Sequence, residues 1–267
     1  MLLEAITIAT YNIAGNHKTF DYNLILNALR SLNADVICLQ EVSGSDIHHT
    51  QAHSLANDLC MNCEFGQADN KRIFGNAIIS RFPLTHKHNI ELPRGSLKRD
   101  NGNRMPGQRE TRGALAVVVS PFVDAPEYNF LCICTHVGLY NSADKVNVAK
   151  VPGSIIERFV NDEYRKNMPA LLTGDLNCKW SEPFTGVVER LNQNWNFYKT
   201  SGTKTSKSDS SKNKIDYICD RQRGKWTMES NYVVRNEHTD LRDGHRPSDH
   251  LPLVAVWKPV VNNKLNT

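Results

Sequence analysis

The chain has no apolar run near 18 residues, which excludes a membrane-spanning helix. A strand-like run begins within a few residues of Met1, so a cleaved leader with its charged, apolar and small-residue regions is not expected in this sequence. A soluble, reducing, cytoplasmic setting without integral membrane association is the expectation. A disulfide framework is also missing. Seven cysteines is an odd number, and Cys38, Cys132 and Cys134 lie inside apolar strand-like runs, where a thiol serves as a small hydrophobe. Cys60 and Cys63 make one C-x-x-C with no second Cys/His pair at zinc-finger spacing, which speaks against zinc there. No G-x-S-x-G occurs, so the strained elbow of a serine hydrolase is absent. Nor is there a dense run of one charge: 32 Lys and Arg against 28 Asp and Glu leave +4. That is a mild bias toward anionic partners, short of the basic stripe of an architectural nucleic-acid binder.

What is present suits one large core. With 267 residues and 40% apolar content, a single domain over residues 1–260 with a short tail at 261–267 is expected, working as a monomer. Ile6–Asn12 alternates apolar and hydroxyl-bearing residues and reads as a strand ending on Asn12. A helix from about Tyr22 follows, because Ile25, Ala28, Leu29 and Leu32 share one face. Asp35–Glu41 has the continuous apolar middle of a strand covered on both sides and ends on Glu41. A helix over about His48–Cys60 precedes strands at Gly75–Ser80 and Leu84–Leu92. The span Pro93–Arg109 is rich in Gly, Pro, Asn and basic residues without periodicity, and reads as a long surface loop.

Core strands at Arg112–Val119 and Tyr128–Thr135 come next, the second ending at His136. A loop from Gly138 to Val151 leads to a helix around Ser154–Tyr164 and then to the strand that delivers Gly174, Asp175 and Asn177. The Ser/Thr/Lys-rich stretch Thr200–Lys214 has too little apolar content to order itself. Ile215–Cys219, Trp226–Arg235 and Leu251–Trp257 read as the remaining strands.

Asn12, Glu41, His136, Asp175, Asn177, Asp216, Asp249 and His250 all stand at or beside an end of an apolar strand. One such residue is ordinary. Eight of them can converge on a single rim if their strands share sheets, giving carboxylates, amides and two imidazoles. Such a set suits hydrolysis of a phosphate ester at a hard divalent cation. Mg²⁺ takes oxygen ligands and keeps several waters, so Glu41 and Asp249 with Asn12 nearby suffice, leaving a further carboxylate to take a proton from water.

The motifs Ala9-Thr10-Tyr11-Asn12-Ile13, Leu39-Gln40-Glu41-Val42, Thr135-His136, Gly174-Asp175-Leu176-Asn177, Lys214-Ile215-Asp216-Tyr217-Ile218 and Ser248-Asp249-His250 resemble, in order, those of the endonuclease/exonuclease/phosphatase superfamily. The resemblance runs from Ile6 to about Trp257. It implies a DNase I-like α/β fold: a four-layer sandwich of two mixed sheets packed face to face, helices outside. It also implies an Mg²⁺ or Mn²⁺ site at Glu41, Asn12 and Asp249. By the same resemblance Asp175 orients or deprotonates the water, and Asn177 positions phosphate or nucleophile. His250, partnered by Asp216, faces the phosphate, as does His136. Arg112, in Thr111-Arg112-Gly113-Ala114, is similar to a strand-start Arg that contacts phosphate.

The superfamily cuts nucleic acids, inositol phosphates and phospholipid head groups with one core, so fold does not choose the substrate. Ile215-Asp216-Tyr217-Ile218 stands where inositol polyphosphate phosphatases carry a Trp-Cys-Asp-Arg-type motif, and neither long loop offers an aromatic hairpin for lipid. Both loops are basic: Arg94, Lys98, Arg99, Arg104, Arg109 and Arg112 at the first, Lys204, Lys207, Lys212 and Lys214 at the second. Cationic loops beside the rim track a polyanion, which makes nucleic acid the leading substrate. A small phosphorylated metabolite or lipid head group is the alternative, and a non-catalytic nucleic-acid-binding module the alternative of another class.

Overall fold

A computed structural model describes residues 4–18, 20–69, 71–98, 104–138, 146–178, 186–198, 205, 214–221, 225–239 and 247–260, with side chains of 94–110 and 146–149 left aside. The expected tail at 261–267 lies outside the described residues. So does the stretch 200–213 apart from Thr205.

The first half of the chain builds one sheet. It supplies β1 (Ile6–Asn12), α1 (Tyr22–Leu32), β2 (Val36–Asp46), the two-residue β3 (His49–Thr50), α2 (Gln51–Asp58), β4 (Asn62–Gln67) and β5 (Phe74–Ser80). Asp21 caps α1 by accepting the Leu24 amide at 3.1 Å, and Asn33 ends it in the left-handed region at φ +45°. Ile25, Leu26, Ala28, Leu29 and Leu32 are the buried face, as their spacing requires. Thr50 caps α2, which fills the span where a helix over about His48–Cys60 is expected.

The second half builds the facing sheet from β6 (Leu84–Lys98), β7 (Arg104–Val119), β8 (Phe130–His136), α3 (Val146–Val160), β9 (Ala170–Asp175), α4 (Gly186–Leu191), β10 (Asn196–Phe197) and β11 (Asp216–Arg221). The chain then returns to the first sheet with β12 (Trp226–Val233) and β13 (Leu253–Pro259). Strand order is β12-β13-β1-β2-β5-β4 in the first sheet, with β3 beside β2, and β10-β11-β9-β8-β7-β6 in the second. Both sheets are mixed: β1–β2 and β8–β9 are parallel, the other pairs antiparallel.

Three apolar layers separate the elements. Ile8, Val36, Cys38, Val117, Cys132, Trp226 and Trp257 fill the space between the sheets. Ile25, Leu29, Leu39 and Leu55 seal α1 and α2 to the outer face of the first sheet, while Ile133, Ile156, Leu172 and Val188 seal α3 and α4 to the second. The architecture is the expected four-layer α/β sandwich. No helix among the described residues is long and apolar enough to cross a membrane.

Several boundaries correct the sequence reading. The expected loop over Pro93–Arg109 is in large part a two-stranded ribbon, with Gly95 opposite Glu110, Ser96 opposite Arg109 and Lys98 opposite Arg104. An antiparallel ribbon satisfies its backbone groups internally and needs no side-chain periodicity, and register shifts after Leu92 and Ser96 accommodate its Pro and Gly. Helix α3 starts at Val146, inside the expected loop Gly138–Val151, and ends at Val160 rather than Tyr164. Pro152 lies within it, followed by Gly153, a pair that reads as a helix boundary but is here tolerated in the interior. Three short elements, β4, α4 and β10, carry too little pattern to be anticipated.

Candidate active site

Register places the polar strand ends side by side. In the second sheet Gly113 pairs with His136, His136 with Asp175, and Asp175 with Asp216, so one row crosses β7, β8, β9 and β11. In the first sheet Asn12 pairs with Gln40. Both parallel pairs therefore end at the same rim, and it is there that the two sheets meet across Asn12 and Asp175.

The β2–β5 ladder is irregular at this point. Leu39 pairs with Ala77 and Val42 with Gly75, so Gln40 and Glu41 together oppose Asn76. This bulge, with Glu41 at φ +58°, re-aims its carboxylate toward the rim. The conformation is held where the Gly15 amide donates to the Glu41 carbonyl at 3.0 Å. On its inner side Gln40 Nε2 donates to Thr10 Oγ1 at 3.0 Å and to Cys134 Sγ at 3.1 Å, tying β1, β2 and β8 together beneath the site.

Asp175 Oδ2 is the centre. Asn12 Nδ2 donates to it at 3.3 Å and to Glu41 Oε1 at 3.2 Å. His136 Nε2 lies 3.5 Å away and His250 Nε2 3.6 Å away. Its other oxygen accepts the Asn177 amide at 2.8 Å, which holds Asn177 at φ +48°. Burial first, then the neighbouring carboxylates Asp216 and Glu41, push the Asp175 carboxyl up to about 7, against the opposing pull of His250 and the Asn177 amide.

The two imidazoles are both buried but differ in charge. Burial lowers the pKa of His136 well below the usual histidine value, and Arg112 and His250 lower it further. Its tautomer follows from its partner: an amide NH₂ only donates, and Asn177 Nδ2 bonds both the Val137 carbonyl at 2.8 Å and His136 Nε2 at 3.1 Å. His136 is thus neutral with its proton on Nδ1, 3.8 Å from Glu41 Oε1. For His250 burial also acts downward, but Asp216, by charge and by a hydrogen bond to Nδ1 at 2.9 Å, outweighs it, and with Asp175 and Asp249 raises the ring to about 10. His250 is an imidazolium.

Ser248 ties this corner to the first sheet, donating to the Asn12 carbonyl at 2.6 Å and accepting the His250 amide at 3.1 Å. Asp249 stands exposed at the rim beside it. Arg112 is buried next to His136 in a cleft that also takes in Phe74, Asn76, Thr111 and Gly113. All nine expected site residues are therefore brought to one end of the sandwich, six of them buried, with Glu41 and Asn177 partly exposed and Asp249 exposed.

The residues fit a hard cation. His136 Nδ1 and Asp216 Oδ1 are buried without a hydrogen-bond partner among the described residues, which marks the site as incomplete without a ligand. Glu41 offers a carboxylate oxygen 3.8 Å from His136 Nδ1, while the Asn12 side chain turns its Nδ2 to Glu41 and Asp175 and its Oδ1 to the Ala14 amide. Among the described residues the one close group of potential ligands is Asp175, Asp216 and His250, but the direct His250–Asp216 hydrogen bond reads as a proton-holding pair. His49 and His53 stand four apart, a spacing that also suits zinc and that the sequence reading passes over. Their Nδ1 atoms instead bond Asp46 at 2.7 Å and Thr50 at 2.8 Å.

Sequence reasoning missed three contributors. Asn76, buried opposite the bulge, donates to the Gly113 carbonyl at 2.8 Å; Ser248 stands in the sequence only as part of a motif; Thr205 lies in a stretch with too little apolar content to order itself yet is fully buried against Asp216. Lys214, expected on a substrate-facing loop, is buried, with Nζ donating to the Tyr198 carbonyl at 3.1 Å.

A sandwich with carboxylates, amides and a charged and a neutral imidazole at one rim defines the class of DNase I-like phosphoesterases. The chain belongs to the endonuclease/exonuclease/phosphatase family, whose family model matches residues 9–250. It is 25% identical over 186 residues to the uncharacterized protein YbhP of Escherichia coli K12, a match covering 64% of this chain and 66%, just under two thirds, of that protein. Its fold is similar to that of a family protein from Bacteroides vulgatus, with a TM-score of 0.72 at 17% identity over 96% of this chain and 100% of the other. It is also similar to ANGEL2, a 2′,3′-cyclic phosphatase solved with adenosine-2′,3′-vanadate, with a TM-score of 0.67 at 15% identity over 97% of both chains.

Proposed function

We propose that this chain hydrolyses phosphodiester bonds in nucleic acid with Mg²⁺ or Mn²⁺ as cofactor. The observation that carries the reading is the convergence of Asn12, His136 and His250 on one carboxylate oxygen of Asp175, whose pKa of about 7 suits a general base at neutral pH. Glu41 and Asn12, with Asp249, would hold the cation, which when bound offsets phosphate charge in the transition state.

The remaining roles belong to the protein's own groups. Asp175 takes the proton of the attacking water. His250, kept charged by Asp216, directs its Nε2–H at a phosphoryl oxygen, a fixed donor in a water-poor site. His136, neutral, offers its Nδ1–H to the same region, and Asn177 sets that tautomer while also positioning the nucleophile. Arg112 contributes a fixed positive charge beside His136.

The substrate class rests on the basic residues that the sequence places in the two long loops. Of the ten named, Arg112 and Lys214 are buried, and the side chains of the other eight lie outside the described residues. A second reading, hydrolysis of a small phosphoester, is favoured by the burial of Arg112 within the His136 cleft, where it serves one phosphate rather than a backbone. The test is salt dependence. With catalysis blocked by Asp175→Asn, affinity for duplex DNA, single-stranded DNA, RNA, inositol phosphates and phospholipid vesicles is measured at several salt concentrations. A nucleic-acid backbone gives a log-linear fall of about 0.9 per contacted duplex phosphate. Reversing Arg99, Arg104 and Lys207 to Glu should weaken that binding and spare hydrolysis of bis-p-nitrophenyl phosphate. Binding of small phosphates or vesicles alone refutes the nuclease reading.

A further inference from the structure

We propose that Thr205 is a positioning residue for the Asp216–His250 pair, its hydroxyl fixing the strand end that carries Asp216 and its carbonyl fixing the segment that carries His250. The inference rests on the reading that this pair takes part in catalysis.

Strand β11 is covered on one side by β9, which pairs with it from Asp216 to Arg221. On the other side β10 reaches only Asp220 and Cys219. The end of β11 that carries Asp216 thus has no strand partner on that side among the described residues, and its buried amides need an acceptor. Thr205 Oγ1 supplies it, accepting both the Ile215 and the Asp216 amides at 3.1 Å. The Thr205 carbonyl accepts the Leu251 amide at 2.6 Å, directly after His250. One residue therefore grips both halves of the pair.

The grip matters because little else aims this carboxylate. Asp216 Oδ2 bonds His250 Nδ1 at 2.9 Å, and Oδ1 has no hydrogen-bond partner among the described residues. Its direction follows from its backbone and from His250. His250 in turn has its own amide on Ser248 Oγ, so Ser248 and Thr205 hold the backbone at His250 and at Leu251. Full burial of a Thr within a Ser/Thr/Lys-rich stretch that composition assigns to solvent is what this role requires.

The test compares Thr205→Val, which keeps the shape and loses the acceptor, with Thr205→Ser, which keeps the acceptor. Turnover of bis-p-nitrophenyl phosphate with Mg²⁺ is measured beside thermal unfolding and the deshielded His250 Nδ1 proton by NMR. The Val variant is expected to lose about 10- to 100-fold in kcat with KM held, the scale of a misaimed catalytic group, and to shift or lose the Nδ1 resonance. The Ser variant should restore both. If Val is not accommodated, Thr205→Ala removes the same hydroxyl with less demand for space. Unchanged kcat and resonance in the Val variant overturn the proposal, as does a Ser variant no better than Val. His250→Ala and Asp216→Asn separate the failures: if they are inactive while Thr205→Val is not, the proposal alone falls. If they retain full turnover, the catalytic reading of the pair falls with it.

Discussion

Gly174 is the position at which a single methyl group should damage both stability and chemistry. It stands at φ +133°, outside the range of an L side chain, and a Cβ there would collide with the carbonyl oxygen of Thr135 on β8. Thr135 and Gly174 are register partners, and the next pair along is His136 and Asp175. Gly174→Ala must therefore part β8 from β9 where the neutral imidazole meets the central carboxylate. Backbone strain contributes about 1–3 kcal/mol and the overlap another 1–3. For a chain of this size that total of about 2–6 kcal/mol lowers Tm by roughly 4–24 °C. Relieving the overlap needs a displacement of about 1 Å, which in a catalytic constellation costs about 10²-fold in rate. Thermal unfolding by circular dichroism and turnover of a generic phosphodiester measure the two effects separately. A Gly174→Ala protein that is as stable and as active as the original would refute the argument that this backbone contact sets the site.

Asp175→Asn and His250→Ala should each lose roughly 10²-fold or more in turnover with the fold intact, and near-normal turnover in either sinks its assigned role. Excess EDTA should abolish activity and added Mg²⁺ or Mn²⁺ restore it, whereas full turnover after chelation and dialysis excludes the proposed cation. Trp195→Phe removes the indole donor that meets buried Glu157 Oε1 at 2.5 Å, leaving Asn194, Asn161 and Arg221 on the other oxygen. It should destabilise by about 1–3 kcal/mol without changing kcat, and an unshifted unfolding midpoint would show that this buried carboxylate is satisfied without the indole.

The rim was legible because its residues break a pattern. Asn12, Glu41, His136 and Asp175 each end an apolar run, and a polar residue at such a place is visible without knowing what lies opposite. Their mutual placement was not visible. The row through His136, Asp175 and Asp216 depends on ladder register, and the bulge at Glu41 lies opposite Asn76, three strands further along the sequence. The ribbon extending β6 and β7 was misread for a related reason: its order comes from backbone pairing, while Gly, Pro and charge are what a loop also contains. Lys214 and Thr205 were misread because composition over a window averages away one buried residue in a solvated stretch.

The two histidines show where sequence reasoning ends. Both follow a short strand-end motif, both are nearly inaccessible, and burial drives both toward the neutral form. They part because His250 has Asp216 on Nδ1 at 2.9 Å, while His136 receives an amide hydrogen on Nε2 and has Arg112 for a neighbour. A carboxylate partner makes one ring a cationic donor, and an amide partner makes the other a neutral one with a fixed tautomer. Asp175 sits between them, where the charged ring pulls its pKa down and burial with the flanking carboxylates pulls it up. The balance near neutrality is thus a property of the whole rim. Removing Asp216 should therefore disturb not only His250 but the protonation of Asp175 as well, so the three residues act as one unit and their substitutions should combine far less than additively.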